Sequence, residues 1–304
     1  MDSHSPLLDD GQLHELISQL NITVLYKHDR GNMGDVLVGL HRSYGKVILK
    51  ALTKRLRSNI RFHMRWEREL YATTLLSNYT LVPQIFSSGL EPYPWFIQEF
   101  ISDQSLERFL KGDCHKLPVD KPVRRNMLLQ LLDIVGTAAR HGFVHRDIRP
   151  DNIVVDKFLR PYLIDWGVVA RVRTNELVKA TDSTPLTKIF SGERLTEPSR
   201  CHGVIGYIAP EQSSAYYDMP SIKNDIYSLV LVAIEVLTGT GLFNGKEDEE
   251  ILAIQMKLKD PDQLLELHPT LFDVFPPEIH RFLLADTARR NQDLEQLRTI
   301  LLHL

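Results

Sequence analysis

Two short polar stretches in the middle of the chain constrain its fold more than any other feature. The first, residues 145–152, reads HRDIRPDN, and the second, residues 165–167, reads DWG. The first lies between a predicted helix and a short strand, and the second ends the next strand. Asp147, Asn152 and Asp165 would therefore converge, and magnesium prefers such hard oxygen ligands. We predict that Asn152 and Asp165 hold Mg²⁺, which leaves Asp147 free to receive a hydroxyl proton.

The spacing of apolar residues divides the chain into a β-rich first third and a mostly helical remainder. In the first part we predict a helix at 11–20, a hairpin at 22–38 with a glycine-containing turn, strands at 47–50, 85–86 and 95–97, and a helix at 60–76 with Ile60, Met64, Tyr71 and Leu75 near one face. In the second part we predict helices at 127–138, 225–237 and 276–304, strands at 153–155 and 162–164, and a long polar loop at 168–200.

The composition excludes several classes of protein. The 304 residues include 36 Lys and Arg against 39 Asp and Glu, so the charge indicates neither nucleic acid nor a membrane as a partner. The two cysteines lie 87 positions apart, which excludes a disulfide framework and a cysteine-based zinc site. The apolar run at 226–237 is short and contains Glu235, and the N-terminus lacks the layout of a signal peptide. These features predict a cytoplasmic globular protein of open oligomeric state.

The two polar stretches resemble the catalytic loop and the Asp-x-Gly magnesium motif of the eukaryotic-type (Hanks-type) protein kinase family. Asn152 and Asp165 follow Asp147 by 5 and 18 positions, as in that family, and residues 209–211 read APE in the family's order. Residues 225–229 (DIYSL) resemble the start of the family's buried central helix. The resemblance implies that the Asp of this helix holds the catalytic loop through backbone amides.

The resemblance also implies an α+β fold of two lobes with the active site between them. A small β-rich lobe with one main helix would cover 21–101, and a larger, mostly helical lobe would cover 102–304. A helical extension at 1–20 would precede them, and the activation segment would run from about 165 to 211.

Phosphoryl transfer requires alignment of the reactants and neutralisation of phosphate charge more than covalent chemistry. By resemblance, Lys50 at the end of the third strand would hold the α- and β-phosphates. Glu69, 19 positions later, would fix it, with Glu67 as the alternative partner. Asp147 would accept the proton of the attacking hydroxyl group. Arg149 stands where the family usually has lysine, beside the γ-phosphate.

The resemblance implies that ATP and Mg²⁺ are the cofactors and that proteins are the substrates. Tyr207 before the APE motif and Pro150 in the catalytic loop indicate serine or threonine acceptors. The expected ATP-binding residues are those of the glycine-containing turn, the adenine pocket and the hinge: Gly31, Gly34, Val36, Ile48, Lys50, Gln98, Glu99 and Ile101.

Several departures from the family pattern keep other functions open. Asp29 replaces the first glycine of the turn, Ile48 replaces a small alanine over the adenine, and Val204 replaces a threonine that usually bonds the catalytic Asp. These changes are compatible with a nucleotide-binding pseudokinase that acts as an interaction module. A small-molecule phosphotransferase is the other alternative, which the presence of the APE segment disfavours.

The segment from Asp165 to Glu211 is long, at 46 positions. It is either an activation loop ordered by phosphorylation, with Arg146 as one phosphate partner, or an insertion with solubilising hydroxyl groups. Either Arg289 or Arg290 would pair with Glu211. The hydroxyl-bearing residues of the segment are Thr181, Ser183, Thr184, Thr187, Ser191, Thr196 and Ser199.

A basic run precedes and enters the helix that carries Glu69. It is either a solvated helix face or a docking surface for an acidic partner or for the phosphorylated loop. Its members are Lys54, Arg55, Arg57, Arg61, Arg65 and Arg68.

Overall fold

A computed structural model describes residues 11–28, 34–52, 56–113, 120–172, 205–213 and 220–304. Its N-terminal part is an antiparallel sheet of five strands in the order β1-β2-β3-β5-β4, with one helix before the sheet and one between its third and fourth strands. These elements are α1 (Gly11–Gln19), β1 (Ile22–His28), β2 (Gly34–His41), β3 (Gly45–Leu52), α2 (Ile60–Leu76), β4 (Ile85–Gly89) and β5 (Trp95–Glu99). The predicted helices and strands of this part are confirmed.

The side chains of strand β3 alternate between the two faces of the sheet. Val47, Leu49 and Ala51 are buried in a cluster on one face, together with Leu16 of α1. Because successive side chains of a strand point to opposite faces, Ile48 and Lys50 lie on the other face. Helix α1 therefore covers the back of the strand that presents Lys50 to the interior of the molecule.

Helix α2 has the predicted bounds, but its buried face differs from the prediction. Ile60, which the spacing places on the apolar face of the helix, is 71% exposed. The buried positions are instead Trp66, Arg68, Glu69, Ala72, Thr73 and Leu76. The apolar spacing did not predict the buried face of α2 because two of its buried side chains, Arg68 and Glu69, are charged.

The C-terminal part is built around two long helices. It contains α3 (Leu106–Lys111), α4 (Lys121–Arg140), β6 (Phe143–Val144), β7 (Ile153–Val155), β8 (Pro161–Leu163), β9 (Ala170–Arg171), α5 (Ile222–Thr238), α6 (Asp248–Gln255), α7 (Pro261–Leu267), α8 (Leu271–Val274) and α9 (Leu294–Leu302). Helix α5 is buried nearly all round, as its sequence predicts. It begins at Ser221, which forms a reciprocal capping box with Asn224.

Two predictions for the C-terminal part were wrong in detail. The polar loop expected from 168 contains β9, which pairs with β6. The predicted helix at 276–304 is a 3₁₀ helix at Pro277–Phe282 and an α-helix only at Leu294–Leu302. The irregular chain between them folds around the buried Arg290, which donates to the carbonyl oxygens of Leu284 (2.7 Å) and Ala285 (3.4 Å).

Several sequence predictions fall outside the described residues. These are the glycine-containing turn with Asp29 and Gly31, the replacement at Val204, and the hydroxyl groups at 181–199. Within the described ranges, the structure contains no helix with the length and apolar character needed to cross a membrane.

A buried ion pair anchors the segment that contains the APE motif. Arg290 Nη1 lies 2.7 Å from Glu211 Oε1, and the arginine side chain is fully buried. We expect Arg290→Met to lower the free energy of unfolding by about 3–5 kcal/mol, because it leaves Glu211 without its counter-charge. Urea denaturation measures this loss.

The matched control is Arg298→Met, which breaks the exposed pair with Asp133. It should change the free energy of unfolding by only about 0–1 kcal/mol. Equal losses in the two variants would contradict the structural role of Arg290.

Candidate active site

A cleft of about 300 Å³ lies between the sheet and the helical part. Its walls come from the strands β2 and β3, from the chain that connects β5 to α3, and from the two polar loops. Of the predicted site residues, Val36, Ile48, Lys50, Gln98, Arg149, Asn152 and Asp165 line it.

The upper side of the cleft holds a buried ion pair. Lys50 Nζ lies 2.5 Å from Glu69 Oε1, and the two side chains are 15% and 4% exposed. Burial acts to lower the pKa of Lys50, but the charges of Glu69 and Asp165 and the hydrogen bond to Glu69 outweigh it and raise that pKa. Lys50 is therefore a cation, and the alternative partner, Glu67, is exposed.

Packing around α2 brings these two charges together. Trp66 of α2 packs against Phe96 of β5 with ring centroids 4.9 Å apart, and both join a small cluster with Leu52 of β3. This cluster fixes α2 on the sheet, so that Glu69 faces Lys50.

The catalytic-loop residues Asp147 and Asn152 are in direct contact. Asn152 Nδ2 donates to Asp147 Oδ2 (2.8 Å) and to the backbone oxygen of Asp147 (2.9 Å). With its nitrogen engaged in this way, the amide oxygen of Asn152 remains as an acceptor toward the cleft, which Asn152 and Asp165 both line. An amide oxygen and a carboxylate fit the ligand preference of Mg²⁺, which takes waters and phosphate oxygens at its other positions.

The carboxyl group of Asp147 has a pKa well above the usual value for an aspartate. Burial raises its pKa from 3.8 to about 6; the charge of Arg149 opposes this and that of Asp165 adds to it. Arg149 Nε lies 3.6 Å from Asp147 Oδ1, and Arg149 Nη1 lies 2.5 Å from Asp151 Oδ2. The planar guanidinium group thus spans two carboxylates, which a lysine ammonium group would do less well.

Asp225 fixes the start of the catalytic loop. Its two carboxylate oxygens accept hydrogen bonds from the backbone amides of His145 and Arg146, both at 2.7 Å. Arg146 has a φ of 72°, a left-handed conformation that costs energy in a residue with a side chain. The predicted contact of the helix aspartate with the catalytic loop is present.

His145 is a structural residue of the loop. Its Nε2 lies 3.0 Å from the carbonyl oxygen of Ile164, and its Nδ1 lies 3.3 Å from the amide nitrogen of Asp147. Burial lowers its pKa to about 4, so the ring is neutral at pH 7 and can donate through one nitrogen while it accepts through the other. The ring also packs edge-on against Trp166, with centroids 4.5 Å apart.

The residues predicted to bind adenine line the cleft less completely than the others. Ile48 and Gln98 face each other across β3 and β5 and line the cleft. Glu99 and Ile101 are not among the lining residues, and the amide of Glu99 donates to Gln84 (2.8 Å), so only its carbonyl oxygen remains for a base. Gly34 lies away from the cleft lining, where a Cβ atom would approach Ala51 O to 2.8 Å.

Sequence patterns missed several of the residues that line the cleft. Asp103 is the most connected, because Tyr26 donates to it from β1 and Lys46 Nζ of β3 lies 3.4 Å from it. Neither periodicity nor a spaced motif indicates such residues, since only the fold brings them to the cleft. The missed lining residues are His28, Val38, Phe100, Ser102, Asp103, Ser105, Asp151, Val154 and Ile164.

Residues 205–213, at the end of the long polar segment, contact the catalytic loop. Gln212 Nε2 donates to the carbonyl oxygen of Arg146 (2.9 Å), and Gln255 Nε2 donates to those of Ile205 (3.1 Å) and Ile208 (3.2 Å). These bonds hold residues 205–213 beside the catalytic loop.

Comparison with known proteins agrees with this geometry. A family model described as "Protein kinase domain" matches residues 27–290. A probable serine/threonine-protein kinase PknB of Lactococcus lactis is 22% identical over 89% of this chain and 40% of its own length. A probable serine/threonine-protein kinase PknB of Bifidobacterium longum is 25% identical over 71% of this chain and 30% of its own length. A serine/threonine-protein kinase PknD of Chlamydia pneumoniae is 25% identical over 88% of this chain and 29% of its own length. The chain thus spans less than half the length of these relatives.

The raised pKa of Asp147 makes a prediction about stability. A carboxyl group with a higher pKa in the folded state favours folding while it is protonated, and this contribution is lost as the pH rises through about 6. The variant Asp147→Asn avoids that loss. We expect it to be more stable than the wild type by about 2–3 kcal/mol at pH 7.5, and by only about 1 kcal/mol at pH 4.5.

Urea denaturation of both proteins at the two pH values measures the difference. Equal stability of Asp147→Asn and the wild type at pH 7.5 would show that the carboxylate is not destabilised by burial.

Proposed function

Because the chain belongs to the protein kinase family, we propose that it transfers the γ-phosphate of ATP, with Mg²⁺, to serine and threonine hydroxyl groups of proteins. The observation that carries the proposal is the presence of four side chains, Lys50, Asp147, Asn152 and Asp165, around one cleft and the loop beneath it. Together they supply the charge neutralisation and the proton acceptor that phosphoryl transfer needs. Their retention argues against the pseudokinase alternative.

Each residue has a separate task in this proposal. Lys50, held by Glu69, binds the α- and β-phosphates. Asn152 and Asp165 hold Mg²⁺, which when bound offsets the negative charge of the phosphates. Gly31, Gly34, Val36 and the hinge residues Glu99 and Ile101 remain proposed ATP-binding residues, as do Ile48 and Gln98.

Asp147 orients the acceptor hydroxyl group and takes its proton. Burial gives this carboxylate a pKa of about 6, so that it is mostly ionised at pH 7 yet basic enough to share a proton in the transition state. Arg149 lies between Asp147 and Asp151 and places a positive charge beside the γ-phosphate.

Autophosphorylation in the segment at 181–199 forms part of the proposal. Arg65 and Arg68 of α2 lie close enough to Arg146 for its charge to lower their pKa, after the larger effect of burial; the pKa of Arg68 falls to about 10. Three guanidinium groups in one place repel each other, and a phosphate group among them would relieve that repulsion. We infer that a phosphorylated hydroxyl group of the segment binds there.

The direct test is incubation with labelled ATP and Mg²⁺. The wild type should label itself at serine or threonine within 181–199 and should label added protein, whereas Asp147→Ala should lose about 10²–10⁴ in rate. Asp133→Ala, an exposed change on α4, serves as the matched control and should retain activity.

Other outcomes select other functions. Equal labelling by Asp147→Ala and the wild type would remove the role given to Asp147. A wild type that transfers nothing, yet gains thermal stability with ATP and Mg²⁺, would be a nucleotide-binding pseudokinase. Phosphorylation of a sugar or an antibiotic but of no protein would indicate a small-molecule phosphotransferase.

The pH dependence of the rate gives a second prediction. If Asp147 accepts the proton, kcat/KM should rise with pH and level off above about 7, with a midpoint near 6, because kcat/KM reports the pKa values of the free enzyme and only the ionised carboxylate is active. Steady-state rates from pH 5 to 8 at ATP concentrations below KM measure this. Circular dichroism over the same range controls for unfolding, and a rate independent of pH between 5 and 7 would contradict the assignment.

A further inference from the structure

Helix α1 lies outside the part of the chain that matches the family, yet it is built into the lobe that carries Lys50. Leu13, Leu16 and Ile17 are buried in one cluster with Val47 and Leu49 of β3. The helix therefore packs on the reverse side of the strand that presents Lys50 to the cleft.

One side chain connects α1 with the region between β3 and α2. Arg57 Nη1 donates to Gln12 Oε1 of α1 at 2.7 Å, and Arg57 Nε donates to the carbonyl oxygen of Leu52, the last residue of β3, at 3.0 Å. The guanidinium carbon lies 3.2 Å from the centroid of the Tyr93 ring, in the connection between β4 and β5. The side chain thus joins three separate parts of the lobe.

The backbone of Arg57 reaches a fourth element. Its carbonyl oxygen lies 2.5 Å from Nε2 of His63, in the first turn of α2. The helix begins directly afterwards, with Asn59 as its N-cap, which accepts from the amide of Arg61 at 3.0 Å. Arg57 therefore determines where α2 starts relative to the end of β3.

These contacts place Arg57 between the two elements that carry the buried ion pair. Lys50 is two residues before the Leu52 carbonyl oxygen that Arg57 bonds, and Glu69 lies on the helix whose first turn Arg57 holds. The Lys50–Glu69 distance of 2.5 Å depends on how β3 and α2 lie against each other. We propose that Arg57, braced by Gln12 of α1, is a positioning residue for the Lys50–Glu69 ion pair.

This proposal rests on the proposed function for its catalytic consequence but not for its structural one. The structural test is amide hydrogen exchange along residues 60–76, which requires no activity. Arg57→Ala should speed exchange in α2 about tenfold, and Gln12→Ala should do so to a smaller extent. Arg42→Ala, an exposed change at the β2–β3 turn, is the matched control and should leave α2 unchanged.

The catalytic test separates positioning from general stability. At a temperature well below the melting transition, Arg57→Ala should lower kcat about tenfold and leave the KM of the protein substrate unchanged. Arg57→Lys, which keeps the charge but not the planar fork, should recover part of the loss. In a Glu69→Gln background, Arg57→Ala should cost less than twofold further, because the pair through which it acts is already broken.

The outcomes distinguish the two proposals. A wild type that phosphorylates nothing, combined with faster α2 exchange in Arg57→Ala, would refute the kinase proposal and support the positioning role. An active wild type with unchanged kcat and unchanged α2 exchange in Arg57→Ala would refute the positioning role. An equal loss in the wild-type and Glu69→Gln backgrounds would also refute it. If Arg57→Ala does not fold, Arg57→Lys and Gln12→Ala decide the same question, and normal exchange in both would refute the proposal.

Discussion

The active site depends on one buried carboxylate, that of Asp225. Helix α5 runs through the centre of the larger lobe and is apolar nearly all round, and this aspartate is only 1% exposed. The cost of burying this carboxylate, which raises its pKa to about 6, is partly offset because it accepts hydrogen bonds from two backbone amides of the catalytic loop that have no partner in a helix or sheet. The strained conformation of Arg146 persists because these bonds determine it. Asp225 therefore links the position of the catalytic loop to the hydrophobic core, and the bonds of His145 and Asn152 then hold Asp147 within that loop.

The electrostatics of the site oppose the stability of the fold. Asp151 and Asp165 line the cleft and Asp147 lies against Asn152 in the loop beneath it, while Lys50 is already paired with Glu69. Burial and the neighbouring carboxylate of Asp165 therefore raise the pKa of Asp147, while the charge of Arg149 and the hydrogen bond from Asn152 act against them. A divalent cation between Asn152 and Asp165 would reduce this excess of negative charge. This excess of negative charge lowers the stability of the protein alone, and a metal ion bound with phosphates would reduce that loss.

The sequence predicted the parts of the site that follow from fixed spacing within single loops or between consecutive elements. The placement of Asn152 and Asp165 near Asp147 is of this kind, whereas the family resemblance implied the distant contacts of Asp225 with the catalytic loop and of Glu211 with Arg290 or its neighbour. Residues such as Asp103 were missed, because only the three-dimensional fold brings the hinge against β1 and β3. The buried face of α2 was mistaken because apolar spacing does not register a buried Glu69, whose burial depends on a lysine from another element. Periodicity thus located the helices and strands, whereas pairing between distant polar groups determined their orientation.

The two sides of the cleft are held by different kinds of interaction. The lower side depends on Asp225, which is inaccessible to solvent and accepts hydrogen bonds from backbone amides of the catalytic loop. The upper side depends on the half-buried Arg57, whose partner on α1, Gln12, is exposed at the surface. Hydrogen bonds that solvent can replace contribute less to stability than buried ones, so the two sides differ in how easily they shift. Changes in the alignment of Lys50 and Glu69 should therefore begin at the contact between α1 and the loop before α2, while the catalytic loop remains fixed.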